Sequence, residues 1–313
     1  MKDLRVVFMG TPNFSVPVLQ ALIENCNVVG VVTQPDKEVG RHNVVEASPI
    51  KKLALQNNIK VVQPEKIRKD YECVIELKPD IIITCAYGQI IPVELLEYPK
   101  YKCINVHASL LPKYRGGAPI HHAIINGEKE TGITIMYMAP GMDDGDIISQ
   151  ESVIISENET LGELHDILSN LGAKLLIKTL PSIINGTNKR IKQDESKVTF
   201  AKIIKKEDEV IDFNDSALNV HNKIRGLSPF PGAYCLLDNK RVKIYKTKIY
   251  NDNSNNEPGT IFKIDKDGIY VKTRDNAVVI EELKVEGKKL MNVKEFLNGV
   301  NKEEMLYKIF RKE

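Results

Sequence analysis

The sequence lacks the long apolar runs that a membrane protein requires. No window of its 313 residues approaches the roughly 18 uninterrupted apolar residues of a membrane span. No signal-peptide apolar region precedes the first strand-like run, and no internal repeat or low-complexity tract occurs. Hydrophobic residues make up 42% and charged residues 27%, as in ordinary soluble globular proteins. We therefore predict a cytoplasmic protein that has no membrane association.

The sequence also has few cysteines, and their pattern excludes two common uses. There are five, an odd number, and none falls in a C-x-x-C pair. A disulfide framework or a zinc site built from paired cysteines is therefore not predicted. Buried, reduced thiols are the expectation, including Cys103, which lies close to the best chemical motif.

The net charge is low as well, at +2, so the whole-chain value does not indicate whether the protein binds nucleic acid. Its distribution says more, because residues 187–250 contain 14 Lys and Arg against 8 Asp and Glu. A basic stretch of this kind suits a polyanionic partner. On charge alone, a solvated lysine-rich linker explains it equally well.

The first half of the chain alternates strand and helix patterns. Predicted strands are 5–9, 28–33, 60–62, 81–85, 103–107 and 133–137, with helices at 14–24 and 49–56. Continuous β-branched runs separated by helices indicate buried parallel strands. The predicted fold class is therefore α/β, with an open, mostly parallel, Rossmann-like sheet.

The second half of the chain has a different sequence pattern. An amphipathic helix begins after Thr160, with a capping box to Glu163, and ends near Pro181. Five short strands follow a polar, basic stretch, at 234–237, 242–245, 260–264, 269–272 and 277–280. They predict a small OB-like β-barrel. The predicted organisation is a catalytic domain at 1–187, a basic linker at 188–207 and a C-terminal domain at 208–313.

Two polar side chains end one of the predicted strands. Asn105 and His107 are two residues apart, so they project from the same face at the edge where open parallel sheets bind ligands. A glycine-flanked loop carries Asp143 and two further acids that can reach the imidazole. Such a set suits acyl transfer to an amine. The residues alone leave other interpretations open: a capping histidine, or acids that close a turn or hold a cation.

Motifs along nearly the whole chain resemble the folate-dependent formyltransferases, and most closely the branch that formylates tRNA. The strongest are Asn105-x-His107-x-Ser109-Leu110-Leu111-Pro112, Tyr114-Arg115-Gly116-Gly117-Ala118-Pro119-Ile120 and Met142-Asp143-Asp144-Gly145-Asp146. Supporting segments are Gly10-Thr11-Pro12-x-Phe14, Thr131-Gly132-Ile133-Thr134-Ile135-Met136 and Pro229-Phe230-Pro231-Gly232-Ala233.

The resemblance implies roles for some of these residues. Asn105, His107 and Asp143 correspond to the catalytic set, and Ser109, Leu110, Leu111 and Pro112 to the folate-binding segment. The implied donor is 10-formyltetrahydrofolate, a reduced folate, and no metal is implied. The implied acceptor is the α-amine of methionyl initiator tRNA, for translation initiation, and we expect a monomer.

For tRNA contacts, the resemblance points to Arg41 in the long loop at 35–48 and to Lys206 in the basic linker. The loop departs from the family just beyond Arg41, where His42-Asn43-Val44-Val45-Glu46 replaces basic residues. Competing hypotheses are formylation of a purine precursor or amino sugar, hydrolysis of the donor to formate, and non-catalytic RNA binding.

Overall fold

The protein forms two compact units. The computed structural model describes residues 1–39 and 44–312, so Arg41 and its neighbours lie outside the described residues. The first unit comprises residues 1–119, 131–153 and 165–202. The second comprises residues 120–130, 154–164 and 203–313.

A seven-stranded sheet forms the first unit. The first nine strands are β1 (Arg5–Gly10), β2 (Asn27–Val32), β3 (Lys37–Val39), β4 (Val44–Glu46), β5 (Val61–Val62), β6 (Ile81–Cys85), β7 (Cys103–His107), β8 (Glu130–Tyr137) and β9 (Ile147–Ile154). The order across the sheet is β5-β2-β1-β6-β7-β8-β9, and β3 pairs with β4 as a separate hairpin. The pairs from β5 to β7 are parallel, and β8 runs antiparallel to β7. The open, mostly parallel sheet is confirmed.

Helices follow most of these strands. They are α1 (Val16–Asn25), α2 (Pro49–Gln56), α3 (Glu72–Ile75), α4 (Val93–Glu97), α5 (Pro119–Ile125) and α6 (Leu161–Ile184). Helix α2 begins where the sequence predicts, because the Ser48 hydroxyl caps it by accepting from the Lys51 amide at 3.1 Å, with Pro49 in the first turn. Helix α6 continues through Pro181 to Ile184, beyond the predicted end.

Helix α6 is long and apolar enough to cross a membrane, judged by length and composition alone. The core helix of a globular protein meets the same criteria, and half of its most apolar window is buried inside the protein. Helix α6 approaches the sheet closely at Gly172, because a Cβ there would meet a Val106 methyl carbon at 2.9 Å. Val106 therefore packs on the helix side of β7.

An antiparallel sheet dominates the second unit. After α7 (Ala217–Gly226) come β10 (Ala233–Leu237), β11 (Lys240–Tyr250), β12 (Ile261–Ile264), β13 (Ile269–Lys272), β14 (Ala277–Val285) and β15 (Met291–Asn292), then α8 (Val293–Leu297) and α9 (Lys302–Met305). The strand order is β10-β11-β14-β13-β12, with β15 beside β14. Asp238 and Asn239 make the β10–β11 turn with positive φ angles of 49° and 60°, as a tight hairpin requires.

The C-terminal segment joins the two edge strands of this sheet. Leu236 of β10 and Arg311 exchange main-chain hydrogen bonds of 2.8 and 2.9 Å. Ile261 of β12 donates to Lys308 at 2.9 Å and accepts from Tyr307 at 2.7 Å. Buried apolar side chains fill the space inside, including Phe213, which stacks on Phe310 at 5.8 Å. The predicted small barrel-like domain is confirmed.

Candidate active site

Strand β7 lies inside the sheet and presents Asn105 and His107 at its carboxyl end. Asn105 pairs in register with Thr84 of β6, and His107 pairs with Thr134 of β8. Because side chains alternate along a strand, both face away from Val106. His107 is buried, with 6% of its surface exposed, and Asn105 is half-buried.

The loop after β8 brings Asp143 to both side chains. Its Oδ2 lies 3.6 Å from Nδ1 of His107, and its Oδ1 lies 3.4 Å from the amide nitrogen of Asn105. The main-chain N–H of Gly116 donates to Oδ2 at 2.9 Å, so the loop at residues 113–119, here called the glycine-rich loop, also holds the carboxylate. The structure therefore brings together the three side chains that the sequence singles out.

Asp143 occupies the left-handed backbone region, at φ 49°. Asp tolerates this region better than most residues. Gly145 permits the tight path that follows, because a Cβ there would lie 1.9 Å from the Tyr137 carbonyl oxygen. The flanking glycines thus serve the purpose that the sequence suggests, which is to let a short loop turn an acid inward.

A main-chain carbonyl fixes the protonation pattern of the imidazole. Nε2 of His107 lies 3.0 Å from the carbonyl oxygen of Tyr114. Since a carbonyl oxygen can only accept, Nε2 carries the proton in this contact and Nδ1 is turned toward Asp143. A second proton on the ring would therefore lie between Nδ1 and a carboxylate oxygen.

The amide of Asn105 is oriented from the neighbouring strand. The Thr84 hydroxyl, itself buried, donates to the side-chain oxygen of Asn105 at 2.8 Å. This contact turns the amide nitrogen toward Asp143 and the site. The sequence pattern did not identify Thr84, because a threonine inside a β-branched strand reads only as a strand former.

The three neighbouring acids separate in the structure. Asp144 folds back toward Gly141, and Asp146 forms a 3.0 Å ion pair with Arg190. Asp143 is the one that faces His107. Among the residues that the structure describes, no three His, Cys, Asp or Glu side chains form a metal-ligand group.

The predicted folate-binding segment, residues 109–112, follows β7 directly and is held at its main chain. Thr134 donates to the carbonyl oxygen of Ser109 at 2.6 Å. Gln150 donates to that of Leu111 at 2.9 Å. Ser109 and Leu111 are buried, whereas Leu110 and Pro112 are half-buried. The segment thus reaches the surface as a fixed turn beside His107.

Cys103 begins the same strand and has 1% of its surface exposed. Its thiol donates weakly to the Leu95 carbonyl at 3.4 Å, and burial raises its pKa strongly. It packs in the core, as expected from the absence of an activating neighbour. Cys26, Cys85 and Cys235 are buried as well, and Cys73 is half-buried.

The structure describes one of the two residues that are predicted to contact tRNA. Arg41 falls outside the described residues. Lys206 is exposed and begins a short 3-10 turn, Lys206–Glu209, in the second unit.

Family models match both halves of the chain. The model described as "Formyl transferase" matches residues 4–180. The model described as "Formyl transferase, C-terminal domain" matches residues 203–301. Proteins named methionyl-tRNA formyltransferase from Staphylococcus aureus strains MW2 and Newman are each 51% identical over 298 residues, which is 94% of this chain and 96% of theirs.

Solved structures show the same fold. A sugar 3N-formyl transferase, WlaRD, described in the presence of dTDP and 5-N-formyl-THF, aligns with a TM-score of 0.67 at 23% identity over 92% of this chain and all of its own. An N-formyltransferase from Helicobacter canadensis, with folinic acid and dTDP-3-aminofucose, has the same TM-score at 25% identity, with 90% and 98% covered. HypX from Aquifex aeolicus, with tetrahydrofolic acid, has a TM-score of 0.64 at 18% identity, covering 96% of this chain and 48% of its own.

Proposed function

The chain belongs to the formyl transferase family, and from that premise we propose that it moves a formyl group from 10-formyltetrahydrofolate to the α-amine of methionyl initiator tRNA. The observation that carries this proposal is the meeting of Asn105, His107 and Asp143 at the carboxyl edge of the sheet. The 51% identity to curated methionyl-tRNA formyltransferases, over nearly their full length, supports the choice of acceptor.

The amine attacks the formyl carbon directly in this proposal. A tetrahedral centre forms, and its oxygen gains negative charge. Asn105 carries two amide hydrogens. One of them is directed to Asp143. The other donates to the oxyanion in the proposed mechanism. His107 supplies a further donor when its Nε2–H turns from the Tyr114 carbonyl oxygen, its partner at 3.0 Å, to the oxyanion.

Proton transfer completes the reaction. The C–N bond to the folate nitrogen breaks as the oxyanion collapses, the amine loses a proton, and the folate nitrogen gains one. Asp143 orients the ring through Nδ1 and accepts or relays that proton, since its carboxylate lies 3.6 Å from the ring nitrogen. No side-chain nucleophile is needed, because the acceptor is itself an amine.

The donor is assigned to the turn at residues 109–112. Ser109, Leu110, Leu111 and Pro112 follow the strand that carries His107, so a folate bound there would have its formyl group close to the imidazole. Fixed main-chain polar groups and half-buried apolar side chains suit a flat heteroaromatic ring. Relatives of known structure hold formyl-THF, folinic acid or tetrahydrofolic acid.

The acceptor is assigned to the basic part of the chain. Residues 187–250 hold an excess of Lys and Arg, and the C-terminal family model covers residues 203–301. We assign tRNA contacts to Lys206 and Arg41, through phosphate groups, which makes binding sensitive to salt. We further propose a cytoplasmic monomer that works away from membranes and without a metal, because one chain supplies the whole set of acid, base and amide.

A transfer assay tests the proposal. Labelled 10-formyltetrahydrofolate is supplied with charged initiator tRNA, charged elongator methionyl-tRNA or uncharged initiator tRNA, and both formyl-methionine and free formate are measured. We expect transfer to the charged initiator tRNA, little to the elongator and none to the uncharged tRNA. Transfer only to amino sugars, or formate release without an acceptor, would support one of the rival activities instead.

A further inference from the structure

Residues 188–202, which composition predicts to be part of a linker, pack as an extended segment of the first unit. We call this stretch the clamp segment. Its first part fastens the end of the acid loop, which is the connection at residues 138–146 that carries Asp143: Ile191 and Ile147 exchange main-chain hydrogen bonds of 2.8 and 2.9 Å. Arg190 pairs with Asp146 at 3.0 Å and lies over the Tyr137 ring at 4.4 Å.

The last part of the clamp segment fastens the glycine-rich loop. Arg115 donates from its main chain to Thr199 at 2.9 Å and accepts from Ala201 at 2.8 Å. The Thr199 hydroxyl accepts from the Tyr114 main chain at 2.9 Å. Since the Tyr114 carbonyl is the partner of His107, the clamp segment acts on both loops that hold the catalytic set.

Gln193 lies between these two attachments and has 5% of its surface exposed. Its amide nitrogen donates to the carbonyl oxygens of Asp143, at 2.7 Å, and Gly145, at 2.8 Å. Its side-chain oxygen accepts from Nε of Arg115 at 3.0 Å. One buried amide therefore joins the acid loop to the glycine-rich loop and uses both of its hydrogens and its oxygen.

Arg115 completes this link. It is also 5% exposed, and its guanidinium binds the Glu195 carboxylate at 2.8 and 3.4 Å. A buried guanidinium held by two residues of the clamp segment fixes the orientation of the Gln193 amide. The hydrogen bonds run from Glu195 through Arg115 and Gln193 to the main chain of Asp143.

We propose that Gln193 is a positioning residue for the reaction, which sets the Asp143 carboxylate against His107 through the main chain of the acid loop. This inference rests on the proposed formyl transfer. It predicts that removing the donors of Gln193 lowers kcat and leaves substrate binding unchanged, because the buried amide is engaged by Asp143, Gly145 and Arg115 of the protein itself.

Gln193→Glu tests the proposal at constant shape. The variant keeps an oxygen for Arg115 but replaces the donating nitrogen with an oxygen that faces two carbonyl oxygens. We expect kcat to fall by about 10-fold to 100-fold, the usual scale for leaving buried polar groups without donors. The KM values for both substrates and the Kd of folate should stay within about 2-fold of wild type. Gln193→Ala removes the same donors without adding a charge, and its kcat should also fall.

A matched control and a double variant separate positioning from general damage. Asn185→Asp makes the same amide-to-carboxylate change on an exposed side chain and should keep wild-type kcat. In an Asp143→Asn background, Gln193→Glu should lower kcat less than 2-fold further, because the group that it positions is already lost.

Each outcome of this experiment is decisive. Wild-type kcat in a folded Gln193→Glu protein would overturn the inference. The inference would also be overturned if Gln193→Glu lowered kcat as much in the Asp143→Asn background as in the wild type. Such a result would indicate general destabilisation of the fold, which lowers activity in either background. Absence of formyl transfer by the wild-type enzyme would instead count against the proposed function.

Discussion

The oxygen of the Asn105 amide is held by one hydroxyl, while its nitrogen faces Asp143. Thr84 lies on the neighbouring strand, and its buried side chain donates to the Asn105 oxygen at 2.8 Å. An amide that is free to flip presents its oxygen to the developing negative charge for part of the time. The hydroxyl disfavours that alternative, because of the two ends of the amide only the oxygen can accept from it.

Replacement of Thr84 by Val removes this donor and keeps the branched shape that the strand packs. We expect kcat to fall about 3-fold to 10-fold, the worth of one neutral hydrogen bond. Thr84→Ser keeps the hydroxyl and serves as the control, with kcat near that of wild type. Steady-state kinetics of both variants decide the matter: equal kcat values for Val and Ser would show that the hydroxyl does not act.

The sequence predicts the residues of the site unevenly. Strand alternation places Asn105 and His107 on one face, and resemblance selects Asp143 from three neighbouring acids. Thr84 and Gln193 have no such signal, because each acts through hydrogen bonds to partners far along the chain. Their roles become visible only when the loops and strands are folded together.

Two loops form the walls of the site, namely the glycine-rich loop and the acid loop. They are in contact at Gly116. Its φ angle is 119°, a region that L side chains rarely adopt, and its N–H donates to Asp143. A Cβ there would lie 2.7 Å from the carbonyl oxygen of Ala201 in the clamp segment. Glycine at 116 is therefore needed for conformation and for space.

Gly116→Ala should displace the glycine-rich loop from the clamp segment. We expect kcat to fall at least about 10-fold, since the strain of about 1–3 kcal/mol is relieved by moving the N–H away from Asp143. Gly186→Ala is the matched control, because Gly186 has a positive φ of 67° but no atom within 4 Å of an added Cβ. It should lose a little stability and keep its kcat. A fully active Gly116→Ala enzyme would contradict this account of the loop.

Elements with strong periodicity are predicted with accurate ends. The strands Ile81–Cys85 and Cys103–His107 and the helix Pro49–Gln56 match the sequence expectation residue for residue. The edge strand Ile147–Ile154 was not predicted, because its centre, Ser149-Gln150-Glu151-Ser152, is polar. A strand at the edge of a sheet needs less apolar surface, so composition does not indicate it.

At the scale of the whole molecule, composition does not indicate to which of the two units residues 188–202 belong. A polar, basic stretch reads as a linker, yet these residues pack on the first unit through main-chain hydrogen bonds. The second unit also holds a buried histidine that no sequence pattern singles out. His221 is 4% exposed, and its Nδ1 lies 2.9 Å from the Thr247 hydroxyl.

Burial, as the largest cause, lowers the pKa of His221, and the nearby Arg225 lowers it further against the opposing effects of Glu157 and Glu281. The unfolded chain therefore binds more protons than the folded one below the ordinary histidine value of 6.5. Stability is intact above that pH and falls as the pH drops from it toward the lowered folded value.

Urea unfolding at pH 7.5 and pH 5.5 checks this sign. The wild type should lose stability on acidification with a slope of up to about 1.4 kcal/mol per pH unit from this group, and His221→Gln should lose less. An unchanged pH dependence in His221→Gln would show that the histidine is not coupled to folding.

The central claim is that the Asn105, His107 and Asp143 constellation performs the transfer. The most direct measurement is single-turnover formyl transfer to charged initiator tRNA by the wild type and by His107→Ala, with folate binding measured in parallel. The account predicts a loss of about 10²–10³ in rate with the Kd of folate unchanged. Near-normal turnover by a folded His107→Ala protein would contradict it.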